Sequence, residues 1–300
     1  MLPILFPILA DTVVAPADDF TLIRVHEWGV VTFASTGTAA TGAPEDTYGF
    51  DPFGMVLVDA PVVWFHGAPF TGTFTARAET GFISAAYPEP HGEFQGMTPA
   101  AAEWRIEGRM PVPFDEAPSP DVPGNTPFAW AMDHWRNVPC LDLYTTGGGY
   151  LDRFLYYETA IPDGLHARMN TVVEDGMQLA GFFSPEGILM ETGPEPVANV
   201  FRIVPLPGGC EAARLPLERD DVLEKICDWA GGNLKSQEIE ALWNTWEPFF
   251  RERPRGERWI LFPLPPATVE QISTISLSLE APGFGRVEYH RLFLGLVRLE

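Results

Sequence analysis

Proline and glycine decide what this chain can fold into. It carries 30 prolines and 28 glycines in 300 residues, and both interrupt regular elements, proline by lacking a backbone N–H and glycine by its conformational freedom. Long helices find little room between such interruptions, whereas short strands do. The apolar pattern agrees. Residues 20–34 alternate like a strand, with Ile23, Val25, Val31 and Phe33 on one face and Leu22, Arg24, His26, Trp28 and Val30 on the other. Further strands are expected at 55–58, 62–66, 72–78, 103–107, 153–158, 179–183, 187–191 and 199–205, with closing strands at 259–262, 272–279 and 286–299. Residues 84–127, apart from 103–107, read as long surface loops, with the proline-dense stretch 111–127 as their flexible part.

Helical spacing comes late. Residues 220–230 place Val222, Leu223, Ile226 and Trp229 on one stripe, stopped by Gly231 and Gly232. Residues 236–247 do the same with Ile239, Leu242, Trp243 and Trp246, and Pro248 is expected to end or kink that helix. The expected fold class is therefore mostly β (α+β), an antiparallel β-sandwich or large twisted sheet system with two C-terminal helices packed against it. Residues 18–300 are expected to form one β-rich domain.

Charge excludes some partners. Lys+Arg number 19 against Asp+Glu 41, a formal net charge of -22, and a field of that sign repels nucleic acid and anionic lipid. No apolar run is long enough for a membrane span. Residues 1–17 read as a leader, apolar at first and ending in Ala15-Pro-Ala17, a small-x-small form that a signal peptidase accepts, the alternative being a first strand at Ile4 to Ile8. The expected location is thus extracellular or periplasmic. Of three cysteines, Cys210 and Cys227 could close a loop, the alternative being three buried thiols. None has the Cys-x-x-Cys spacing of a zinc or redox site.

Glu27 is the most informative residue, because an acid on the apolar face of a strand must be protonated, paired with an arginine or bound to a cation. Arg153, Arg258 and Arg298 offer partners on strands; the functional alternative makes Glu27, with His26, a catalytic pair. His26 and His66 on neighbouring strands, together with Asp59 or Asp51, could form a two-histidine, one-carboxylate set suited to zinc or non-haem iron. No cofactor is otherwise implied. Trp28, Trp64 and Trp135 are candidate ring platforms for a carbohydrate or an envelope protein partner, core packing being the alternative. His91, His134, His166 and His290 read as surface or structural residues.

His26-Glu-Trp-Gly29, Val62-Val-Trp-Phe-His66 and Arg153-Phe-Leu-Tyr-Tyr-Glu158 resemble landmarks of a group of uncharacterised, predicted secreted bacterial proteins. The segments 238–246, 258–263 and 292–299 are similar to that group's closing part. The resemblance covers about half of the chain in islands, with His-Glu-Trp-Gly its sharp motif. It implies export and one continuous fold, and no mechanism. With no strong catalytic motif in view, the leading expectation is an exported acidic protein that binds a polymer or protein partner at the cell envelope. The alternative is a hydrolase of extracellular or envelope substrates, metal-dependent or not, that uses Glu27 and His26.

Overall fold

The computed structural model describes residues 22–33, 55–91, 99–113, 116, 118–123, 126–162, 186–206, 209–281 and 285–299. The expected leader, Asp51 and the strand expected at 179–183 lie outside them. In chain order the strands are β1 (Leu22–Phe33), β2 (Met55–Gly67), β3 (Phe70–Ala78), β4 (Phe82–Tyr87), β5 (Ala101–Arg109), β6 (Asp142–Thr145), β7 (Tyr150–Asp152), β8 (Leu155–Pro162), β9 (Glu186–Glu191), β10 (Val197–Leu206), β11 (Gly209–Leu217), β12 (Arg258–Pro263), β13 (Ser273–Leu279) and β14 (Arg286–Leu299). The helices are α1 (Met132–Arg136), α2 (Arg219–Trp229), α3 (Ser236–Glu252) and α4 (Pro266–Ile272). The fold is a β-rich α+β arrangement of two open sheets and helices.

A nine-stranded sheet runs β11-β10-β9-β12-β14-β1-β2-β8-β4, and a five-stranded sheet runs β13-β3-β5-β6-β7. Among the described residues, β1 with β14 is a parallel pair, whereas the expectation was antiparallel throughout. The first and last strands therefore meet in the middle of the larger sheet. The motif glycine explains how closely: a Cβ on Gly29 would lie 2.8 Å from the Phe293 ring opposite it. The two strands expected at 55–58 and 62–66 are one strand, β2, whose register slips between Val58 and Val62. Pro61 sits in that irregularity, where a missing N–H costs the ladder nothing.

Alternation along β1 divides the interior into two cores. Ile23 and Val25 face the five-stranded sheet and pack with Val63, Phe65, Phe74 and Trp104. Trp28 and Val30 face the helices and pack with Trp64, Trp135, Leu242, Trp246 and Phe250. The larger sheet is thus sandwiched between a smaller sheet and a helical layer, each face supplied by alternate residues of the same strands. Of the two outcomes expected at Pro248, an end or a kink, the α3 helix does not take the first: it continues to Glu252. Proline forfeits one helical hydrogen bond. Burial of Phe249 and Phe250 in the last turn, packed on Trp259 and Trp243, outweighs that loss.

The proline-dense segment is held at several points. Arg153 donates to Asp142 at 2.8 Å and to the Val112 carbonyl at 2.9 Å, and the Val112 N–H donates to Asp142 at 2.8 Å. Arg136 donates to Asp152 at 2.9 Å and to the Pro120 carbonyl at 3.1 Å. Charged groups anchored in the core thus satisfy a backbone that proline keeps out of helix and sheet.

Candidate metal centre

The helix-facing side of the larger sheet carries a buried polar cluster. His26 comes from the middle of β1 and His66 from β2, whose Cα is paired with that of Arg24, so the two rings meet on a diagonal with centroids 4.4 Å apart. Glu238 comes from the first turn of α3, where its carboxylate accepts the Lys235 backbone N–H at 2.7 Å. That bond satisfies one of the orphan donors of the helix start and fixes the side chain. The same carboxylate lies 3.0 and 3.1 Å from His26 Nδ1 and 2.6 Å from His66 Nε2. His26 is 3% exposed, His66 5% and Glu238 0%.

One ligand atom from each residue lies within 4.8 Å of the other two. A tetrahedral ion with bonds of about 2.0–2.1 Å sets its ligand atoms about 3.3 Å apart, so the side chains are gathered close to a coordinating arrangement. Although burial alone would raise its pKa, hydrogen bonds from His26 and His66 hold the Glu238 carboxyl at about 2. Burial pushes the His66 pKa down, against the pull of its hydrogen bond to Glu238. An anionic carboxylate beside a neutral imidazole is the protonation state that divalent metals require. Each ring keeps one buried nitrogen, His26 Nε2 and His66 Nδ1, without a protein hydrogen-bond partner, and such orphans mark places where a polar network needs an explanation.

Glu27 faces the other way. It is fully buried, pairs with Arg291, and accepts from the Tyr157 hydroxyl. Ser273 completes the group, with its Oγ 2.9 Å from Arg291 Nη2 and 3.1 Å from the Tyr157 oxygen. Burial opposes the Arg291 charge, but Glu27 beside it raises the guanidinium pKa above its ordinary value. The inward acid is therefore met by an arginine, though not by any of the three suggested by the sequence; Arg153 is taken by Asp142 and Arg298 by Glu257. Since β1 points Glu27 and His26 to opposite faces, they cannot act as a catalytic pair on one substrate atom.

The remaining candidates are redistributed as well. The Asp59 backbone lies opposite Val30, four residues along β1 from His26, a separation of roughly 13 Å at the usual strand rise. Glu238 supplies the carboxylate in its place. Trp28, Trp64 and Trp135 are completely buried, so they are core and not an exposed ring platform. Their rings pack together at 5.9 and 6.1 Å, with the Trp64 indole N–H on the Trp135 carbonyl and that of Trp135 on Thr245. Cys227 is a free thiol, and the Cys210 side chain lies outside the described residues.

Two residues of the site escaped the sequence reading. Glu238 lies four residues before Leu242 and eight before Trp246, on the apolar stripe of its helix, the same signal that singled out Glu27 on its strand. His290 pairs with His26 in the parallel register of β1 and β14, as Arg291 pairs with Glu27. Its ring lies edge-on to His26 with centroids 5.3 Å apart. Lining residues of a surface cleft of about 300 Å³ include His290, Arg291, Asn233 and Glu270. No protein-family model matches this chain, and a search of curated proteins likewise finds no match.

Proposed function

We propose that the protein binds a divalent transition metal through His26, His66 and Glu238, and that it does so as an exported protein of the extracellular or periplasmic space. The observation that carries this reading is the convergence of two imidazoles and one carboxylate in a buried site. This donor set suits zinc or non-haem iron. Three protein ligands leave at least one coordination position open, the arrangement that metal-assisted hydrolysis uses. The reading therefore favours the hydrolase of extracellular or envelope substrates over the polymer-binding module, whose proposed ring platform is consumed by the core. It moves the carboxylate role from Glu27 to Glu238. The resemblance to predicted secreted proteins supports the location.

Titration of the chelator-stripped full chain with Zn²⁺ tests the reading. One tightly bound equivalent is expected, lost in His66→Ala and in Glu238→Gln but kept in Glu27→Gln provided that variant folds. Absence of stoichiometric binding by the unmodified protein overturns the proposal.

A further inference from the structure

We infer that His290 is the gate of this metal centre: it receives an incoming divalent ion from the surface cleft and passes it to His26, His66 and Glu238 without staying bound. The inference rests on the metal-binding reading above. Its basis is position. The parallel register of β1 and β14 puts His290 directly beside His26 on the same face of the sheet, and the two rings touch edge to face. The side chains of His26, His66 and Glu238 are 4%, 6% and 0% exposed, whereas that of His290 is 24% exposed. His290 thus spans the step from water to the buried ligands, with its outer side on the cleft and its inner side on the first of them.

The charges around His290 are balanced and do not set the route: Glu288, 4.0 Å from His290 Nε2, is also paired with Arg24, and Glu270 on the cleft is paired with Arg291. His290 itself lies outside the group whose ligand atoms converge within 4.8 Å, which distinguishes a transfer residue from a resident ligand. A hydrated ion that enters a buried site otherwise sheds water before it gains any protein ligand. An imidazole at the threshold replaces one water early and lowers that barrier.

A gate that is not a ligand in the final state speeds entry and exit equally. Stopped-flow absorption with Co²⁺ on the stripped full chain reads both directions, loading by mixing with the ion and release by mixing with excess chelator. His290→Gln is expected to slow loading and release by the same factor, about tenfold or more, with stoichiometry, affinity and the final cobalt spectrum unchanged. Asn233→Phe, which adds bulk to the lining of the cleft, is expected to slow both as well. Rates in His290→Gln within about threefold of the unmodified protein overturn the inference, as does a changed final spectrum with weakened affinity, which would make His290 a resident ligand. Failure of the unmodified protein to take up cobalt overturns the metal-binding reading itself, a result separate from either of these.

Discussion

His26 and Glu27 are neighbours in sequence, yet they anchor two buried polar groups of opposite character. On the side of the smaller sheet, the Glu27 anion meets the Arg291 cation and the Tyr157 hydroxyl, and Ser273 bridges those two partners. On the helical side, His26, His66 and Glu238 gather around one carboxylate and leave two ring nitrogens without partners. A buried ion pair whose hydrogen bonds are complete holds strands together and has little left to offer a ligand. An incomplete cluster beside a surface cleft has donor atoms to spare. Strand alternation thus points the two polar residues of the His-Glu-Trp-Gly motif into two different buried groups, and β14 supplies a neighbour to each through His290 and Arg291.

The largest effect that follows belongs to the Glu27 group. Glu27→Ala should leave the Arg291 charge with only the exposed Glu270 as its anionic partner and cost about 3 kcal/mol, read from urea denaturation. The double variant Glu27→Met, Arg291→Met should lose much less, because an apolar pair of similar volume replaces a buried ion pair at little cost. If the single variant unfolds no more readily than the original protein, the structural role of Glu27 fails. Next in size is the response to metal. Zinc at a hundredfold excess over its dissociation constant should stabilise the unmodified protein by about 2.7 kcal/mol and leave Glu238→Gln unmoved. Equal stabilisation of both proteins would move the metal elsewhere and erase the contrast between the two faces.

Much of this was legible in the sequence because it depends on local periodicity. The alternation around Glu27 announced a buried acid, and the stripes of Ile239, Leu242 and Trp246 announced the helix that covers the sheet. What could not be read was pairing at long range. Parallel contact between β1 and β14 joins residues more than 260 positions apart, and no local pattern encodes which arginine reaches Glu27 or which histidine lies beside His26. Asp59 seemed a natural third ligand because it is close to His66 in sequence, but the strand carries its backbone away from His26. Glu238 is brought in by a helix that crosses the sheet, 172 residues from His66. The aromatic count misled for a related reason: tryptophans on alternating strand positions look the same whether the layer beyond them is water or a helix.

A further effect sets the two faces apart by pH alone. In the metal-free protein, the folded pKa of His66 lies below its ordinary 6.5 and that of Glu238 at about 2, below its ordinary 4.5. In both cases the unfolded chain binds the proton more tightly, so stability is full above the unfolded value and is lost as pH falls. Acid should therefore weaken the helical side in two steps, one beginning below 6.5 and one running from 4.5 toward 2. Each proton contributes a slope of up to about 1.4 kcal/mol per pH unit. His66→Gln should remove the first step and Glu238→Gln the second. On the other face the sign reverses: burial, reinforced by Glu27, raises the Tyr157 pKa well above 10.0, so its share of stability is full below that value and is lost as pH rises past it. Urea midpoints measured across the pH range should show Tyr157→Phe flattening the alkaline limb while leaving the acid limb in place. An alkaline limb unchanged in that variant would mean that the hydroxyl ionises without opening the interface between the sheets, and that the two polar groups differ in wiring but not in their response to protons.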